Sequence, residues 1–252
     1  MKHFESDSLT HAERERYSWQ LDVDGHGEVG QERLKAATVL ISRAGGVGGH
    51  AAMELAAAGI GKLILAHAGD LRLDDLNRQV LMRTDGVGKP RAFSSPETLR
   101  TLNPHVEVVA VQQNMNEMNA VELVAQADVV IDAAPLFEER LAMNRACRLL
   151  GKPMVEAAMW EMEFSVTVFH PDRHGCLACH CPEPPAWWKR RFPVFGAVSA
   201  VAGSLAAVEV IKLISGFGEP LVGRMIAGDL RSGRIRTITL PSNTGCDVCR
   251  HP

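Results

Sequence analysis

A mixed, mainly parallel α/β sheet with helices on both faces is the fold class the sequence predicts. Three observations predict it. Short apolar runs of strand length alternate with helical patterns through the first half of the chain, and a glycine-rich turn joins the first run to an alanine-rich helix. One later run alternates apolar and polar side chains as an antiparallel strand does. With 252 residues, 46% hydrophobic and 23% charged, the chain is long enough to bury one sizeable core, so one domain over 1–252 is expected. A net charge of -3 gives no broad reason to expect nucleic acid. The polar N-terminus has no signal-like apolar region and no uninterrupted apolar stretch reaches membrane-spanning length, so no membrane partner and a cytoplasmic protein are the simplest expectation.

Residues 1–35 form an expected helical extension, with two short amphipathic helices in the charged stretch 9–35 lying across the edge of the main fold. Residues 36–160 form an α/β half of nucleotide-binding type. It begins with a buried strand at 37–42, a glycine turn at 44–49, a helix at 50–58 and a strand at 62–66. The pattern continues with a helix at 90–102, a strand at 106–111, a helix at 120–125 and a strand at 127–131, then a helix at 138–150 leading to 152–156. Residues 161–252 turn the sheet mixed: 161–169 alternates as an antiparallel strand, 182–193 is a proline-rich, aromatic and basic loop, and 198–214 is an apolar, mostly buried helix. Two strands within 225–240 flank a turn at 231–233.

The most specific motif is Cys176-x-x-Cys179 with Cys246-x-x-Cys249. Each pair presents two thiolates in a tight turn, and two such turns complete a tetrahedral shell with no open position, the pattern of a structural zinc. Such an ion would pin the C-terminal tail onto the loop after the 161–169 strand. Cys181 is the alternative ligand, otherwise a loop thiol, and Cys147 reads as a core thiol. In the glycine turn, Arg43 stands at the first glycine position of a G-x-G-x-x-G frame, followed by Gly45 and Gly48, while the slipped frame from Gly46 through Gly48 to Ala51 matches G-x-G-x-x-A. The turn either brings backbone N–H groups to a phosphate or is a tight strand-to-helix connection without ligand.

Landmarks in order over nearly the whole chain resemble the ThiF/MoeB/HesA family. They are Arg16-Tyr17-Ser18-Trp19-Gln20, the strand and glycine turn through Gly48, Asp75-Leu76-Asn77-Arg78-Gln79, Gly88-Lys89-Pro90, Asn103-Pro104, Asp132 with Arg140 and Asn144, the helix 203–216 and the two cysteine pairs. The resemblance implies a Rossmann-like fold and a relative of ubiquitin-activating enzymes. In such enzymes ATP binds at the carboxyl ends of the parallel strands, and a substrate carboxylate, often the C-terminal glycine of a small ubiquitin-like protein, attacks its α-phosphate with magnesium present. A homodimer is the family expectation.

Carried over by position, the resemblance places Arg78 and Asp132 as catalytic groups. It places Gly45, Gly46, Gly48, His67, Asn77, Arg78, Lys89 and Arg91 around the nucleotide. His67 stands where an acid holds the ribose, Arg91 where a lysine neutralises phosphate with Lys89 as a substitute, and Trp19 where an arginine reaches the neighbouring subunit. The family pattern D-x-x-D-N reads Asp132-Ala133-Ala134-Pro135-Leu136 here. That leaves Asp132 to hold magnesium with phosphates and water, with Asp70 and Asp75 as further carboxylates. Trp187, Trp188, Lys189, Arg190 and Arg191 either grip a partner's tail or an anionic substrate, or cover the core edge with their cations solvated. The function expected is ATP-dependent adenylation of a small-protein, peptide or metabolite carboxylate in an altered pocket. The alternative is a non-catalytic scaffold or partner-binding subunit. A dinucleotide oxidoreductase is disfavoured by the incomplete glycine fingerprint and by His67.

Overall fold

The computed structural model describes residues 8–173, 175–186, 188, 191–241 and 245–250. The N-terminal extension is three helices, not two: His11–Arg16 (α1), Ser18–Leu21 (α2) and Gly27–Ala36 (α3). Thr10 opens α1 with a reciprocal capping box to Glu13. The break that separates α1 from α2 falls at Tyr17, whose ring is buried and whose hydroxyl accepts from Asn103 Nδ2 at 2.8 Å. Burying that ring at the edge of the core takes precedence over continuing the helix.

Eight strands form one sheet: Thr38–Ser42 (β1), Lys62–Ala66 (β2), Glu107–Val111 (β3), Val129–Asp132 (β4), Met154–Trp160 (β5), Glu163–Phe169 (β6), Arg224–Asp229 (β7) and Arg234–Thr239 (β8). Their order is β3-β2-β1-β4-β5-β6-β7-β8. The pairings from β3 through β5 are parallel and those from β5 through β8 antiparallel. β1 and β4 lie side by side at the place where strand order reverses, so the loops leaving their carboxyl ends part and open a crevice. Both strands are almost wholly buried, which explains their unbroken apolar sequence.

The helices Arg91–Leu102 (α5), Ala120–Ala125 (α6) and Phe137–Leu150 (α7) complete the α/β half, preceded by Gly46–Ala58 (α4). α4 begins four residues before the expected position, because the glycines are its first turn and not a loop leading into it. A Cβ on Gly48 would meet the Arg43 carbonyl oxygen and lie 2.9 Å from Ile41 Cγ2. The small residue therefore lets the helix start directly over the end of β1.

Gly196–Ser215 (α9) packs across α4 and onto β5 and β6. By length and composition alone α9 could cross a membrane, but Ala206, Ala207, Val210 and Ile214 lie in the same buried cluster as Leu55, Ile41 and Val155. Its hydrophobicity is that of a helix covered by a sheet and another helix. Two short turns, Leu177–His180 (α8) and Asp247–Arg250 (α10), carry the cysteine pairs beside α7.

The α4–α9 contact depends on Gly203, where a Cβ would stand 2.5 Å from the Val47 carbonyl oxygen and 2.8 Å from His50 Cβ. Gly203→Val is expected to lower the unfolding free energy by about 1–3 kcal/mol in urea denaturation, because a backbone oxygen cannot swing aside as a side chain does.

Candidate functional site

A cleft of about 1000 Å³ opens at the carboxyl ends of β1, β4 and β5. Six arginines line it, Arg43, Arg72, Arg78, Arg91, Arg140 and Arg191, against three aspartates, Asp70, Asp74 and Asp75. Its floor includes Gly45, Gly46 and Val47, the first turn of α4, whose N-cap Gly45 offers no side-chain cap. The partial positive charge of a helix start thus faces a cavity already rich in guanidinium. His50 fixes the turn from below, with Nδ1 2.7 Å from the Gly46 carbonyl. Since a carbonyl oxygen only accepts, Nδ1 is the protonated nitrogen of that ring.

Arg43 adopts a left-handed backbone, φ 63°, and is 8% exposed. Its guanidinium forks onto Glu139 at the start of α7: Nε donates to Oε2 at 2.8 Å and Nη2 to Oε1. The reason a glycine is expected here is visible in that φ value, and the two-pronged ion pair fixes the arginine that stands in its place.

Asp75 is the hub of the facing loop. Its carboxylate accepts from Arg78 Nη2 at 3.1 Å, from Arg91 Nη2, and from the Arg72 backbone N–H at 3.0 Å. Burial alone would raise its carboxyl, but the Arg91 guanidinium, the Arg72 amide and Arg78 together hold it below the usual carboxylate range. Arg78 also donates from Nη1 to the Asp74 carbonyl and to Asn77 Oδ1. Two cations are thereby aimed across the cleft by one acid.

His67 directly follows β2 and is 6% exposed, with Nδ1 lacking a hydrogen-bond partner among the described residues. Burial, reinforced by Arg43 and Arg91, depresses its pKa from 6.5 to about 3, so the ring is neutral at physiological pH. A neutral imidazole can still accept from or donate to a hydroxyl.

Of the residues the sequence singled out, Gly45, Gly46, His67, Asn77, Arg78 and Arg91 come together on the cleft wall. Gly48, Lys89 and Asp132 are not among its lining residues. Gly48 is taken up by packing against β1, and Lys89 is exposed. Asp132 is wholly enclosed, 3.4 Å from Arg140 Nε, and accepts from the Ala134 amide. Burial pushes its carboxyl up against the opposing pull of Arg140. Arg140 also donates to Glu156 at 2.8 Å. Sequence reasoning missed Gln79 and Ser199 on the lining; Gln79 sits inside the quoted Asp75–Gln79 stretch, while no local pattern marks Ser199.

In the proline-rich loop, the Trp188 indole N–H donates to the Pro135 carbonyl at 2.8 Å, and its ring meets Phe137 edge-on at 5.3 Å and Phe192 at 5.5 Å. Trp188 covers a core edge, and Arg191 remains exposed at the cleft. Trp187, Lys189 and Arg190 lie outside the described residues.

The four motif cysteines gather beside α7, their sulfurs all within 4.8 Å of one another. Sγ separations are 3.9 Å for Cys176–Cys179 and Cys176–Cys246, and 3.5 Å for Cys179–Cys249. A tetrahedral zinc with Zn–S of about 2.3 Å requires sulfurs about 3.8 Å apart, so the set fits that ion. Asn144 on α7 donates to Cys176 Sγ and accepts from the Leu177 amide, orienting the first turn. Cys181 lies outside the set and its thiol donates to the Glu183 carbonyl. Cys147 is buried in the core, its thiol pushed up by burial.

Because His67 protonates more readily in the unfolded chain, its contribution to stability is complete above pH 6.5 and is lost as pH falls toward about 3. Between pH 7 and pH 5 the protein should therefore lose about 2 kcal/mol that a His67→Asn variant does not lose, measured by denaturant unfolding at both pH values.

Comparison with known proteins places this geometry. The family model described as ThiF family matches residues 17–248. The chain is 47% identical over 242 residues to the heterocyst HesA protein of Trichormus variabilis, covering 96% of this chain and 91% of that one. It is 37% identical over 249 residues to the sulfur carrier protein adenylyltransferase of Thermus thermophilus, covering 95% and 92%. Among solved structures, E. coli MccB with MccA-N7isoASN superposes with a TM-score of 0.83 at 27% identity over 93% of this chain and 74% of that one. The ATP-bound form of MccB does so with a TM-score of 0.75 at 26% identity, over 88% and 69%. The fold, the order of its landmarks and the extent of these matches lead to one conclusion: the chain belongs to the ThiF family.

Proposed function

We propose that the chain is an ATP-dependent adenylyltransferase that activates a carboxylate, carried by a small-protein C-terminus, a peptide or a metabolite, in a pocket altered from the family pattern. The observation that carries this reading is the arginine-lined cleft over the uncapped start of α4. A polyphosphate is the ligand such a wall suits, because guanidinium forks match phosphate oxygens and stay charged at all working pH values. The sulfur carrier adenylyltransferase among the relatives and the ATP-bound MccB support ATP as that polyphosphate.

In this reaction a carboxylate oxygen forms a bond to the α-phosphorus while the bond from that phosphorus to the bridging oxygen breaks. The acyl-adenylate stays and pyrophosphate leaves with the electron pair. Arg78 and Arg91, aimed by Asp75, meet charge growing on the phosphates. The Gly45 and Gly46 backbone would allow close approach of the phosphates, and His67 and Asn77, on the same cleft wall, are assigned to the ribose. The crevice floor at Ala133, Ala134 and Ala157 admits the carboxylate without a competing charge.

The cysteine cluster is assigned a structural zinc that ties the C-terminal tail to the turn after β6. A homodimer is the assembly proposed. Trp19, 90% exposed on α2, leaves the expected cross-subunit arginine unreplaced by charge, and this favours the second reading, a partner-binding subunit without catalysis.

Pyrophosphate exchange into ATP, measured across a panel of carboxylates that includes small proteins ending in glycine, separates these readings. Exchange with at least one carboxylate is expected, reduced about a hundredfold or more in Arg78→Ala. ATP binding without exchange across the panel favours the partner-binding subunit. For the metal, elemental analysis should find zinc in the native protein and none in Cys246→Ser/Cys249→Ser, with the C-terminal tail then open to proteolysis.

A further inference from the structure

The family resemblance implies magnesium, and the acids around the cleft can be tested as its ligands. Asp75 is committed to Arg78, Arg91 and the Arg72 amide. Asp74 pairs with Arg72 at 2.9 Å. Glu139 is forked by Arg43, and Glu156 and the wholly enclosed Asp132 share Arg140. At Pro135 there is no side-chain donor, and the carbonyl already takes the Trp188 N–H. Of these acids Asp70 alone has no ion pair among the described residues, and it is exposed at a β-bridge to Pro90, next to Gly69, which lies against Arg91. Magnesium is held by near-octahedral oxygen donors, one or two of them carboxylates free to join phosphate and water. Every other acid at the cleft is committed to an arginine, so the lining offers that ion a single exposed carboxylate, Asp70, with no second acid beside it free of an arginine: the residues present fit it poorly.

We infer that the cleft takes a nucleotide's polyphosphate free of divalent metal, with Arg43, Arg78 and Arg91 supplying the charge that a cation supplies elsewhere. Three observations meet here. Arg43 occupies a left-handed turn directly over the start of α4, where a side chain has no conformational reason to be. Its fork onto Glu139 employs Nε and Nη2 and leaves Nη1 without a hydrogen bond among the described residues. Arg91 likewise carries a buried Nε with no hydrogen-bond partner among the described residues. Guanidinium donors held in place by carboxylates but not used up by them are what a metal-free triphosphate requires. Magnesium in solution competes for the same phosphate oxygens and halves the negative charge of the nucleotide, so it would weaken binding to this wall.

The inference takes ATP as ligand from the adenylation reading, and its test keeps the two apart. ATP affinity is measured by calorimetry on zinc-replete protein in excess magnesium chloride, and in buffer without magnesium, stripped of divalent ions on a chelating resin before the protein is added. Affinity without magnesium should equal or exceed affinity with it, and inorganic tripolyphosphate should compete. Arg43→Gly with Glu139→Gln removes both buried charges together and gives the turn its unstrained residue; with its fold checked by urea unfolding, it should bind ATP about tenfold more weakly without magnesium and adenosine, which carries no phosphate, as tightly as the parent does. Binding about tenfold tighter with magnesium than without, or no loss in the double variant, overturns the inference. Magnesium-dependent ATP binding with active pyrophosphate exchange overturns it and leaves adenylation standing. Magnesium-independent binding with no exchange does the reverse, and absence of ATP binding in both conditions overturns both.

Discussion

The ion pair between Arg43 and Glu139 spans the crevice where the sheet reverses its order, and the arrangement of the cleft depends on it. Arg43 leaves the end of β1 and Glu139 stands in the first turn of α7, which follows β4. Neighbouring strands thus have their outgoing connections tied by a two-pronged bond with both side chains less than a tenth exposed. Such a pair adds little net stability, because desolvating both charges consumes most of their attraction, but removing one partner costs about 3–5 kcal/mol. Its effect is to specify geometry. With Arg43 fixed, its carbonyl accepts from the Gly45 amide at 2.6 Å, Gly48 is pressed against the strand end, and α4 begins where its first amides face the cavity.

The same device recurs twice around the cleft. Asp75 orients Arg78 and Arg91, and Asp132 with Glu156 encloses Arg140. Each long side chain loses rotamer freedom during folding, so none has to be ordered when an anion arrives. The contrast with Arg14–Glu28 is instructive: there the partners are 40% and 50% exposed, and water screens the attraction. Around the cleft the low dielectric makes each charge felt by its neighbours. His67 shows this directly, because the burial and the arginines that make the cavity attractive to anions keep its ring uncharged.

Much of this fold was legible because its elements are locally self-consistent. The strand at 62–66 and the helix at 120–125 were read to the residue, since buried parallel strands appear as unbroken apolar runs and a short helix as a periodic one. The start of α4 was not, because glycine signals a turn by propensity while the strand below it selects glycine for space. In the site, Gly45, Gly46, His67, Asn77, Arg78 and Arg91 were visible through motif order. What the sequence could not display is which charges neutralise which. Asp132 reads as a free acid until Arg140 is found eight residues along the chain and Glu156 on the adjacent strand. Asp75 reads as a spare carboxylate until both its arginines are seen.

The cysteine cluster and the cleft are also less separate than their distance in sequence suggests. Cys176 caps α8 and Cys179 stands on it, and the chain passes from there through the loop containing Trp188 to the start of α9. Trp188 closes the wall at Pro135 by its indole hydrogen bond and packs on Phe137, the first residue of the helix that also carries Glu139 and Asn144. Asn144 reaches back to Cys176. One helix, α7, therefore presents an acid to Arg43 at its amino end and an amide to the cysteine cluster further along. At the end of the loop, Ser199 on α9 lies against Gly46, where a Cβ would come within 2.8 Å of its oxygen. The connection between cluster and cleft is thus held at both ends and in its middle by contacts that α7, α9 and the cluster supply. A metal that fixed α8 would limit the paths open to Trp188 and Arg191, and so define one side of the cavity without touching what it binds.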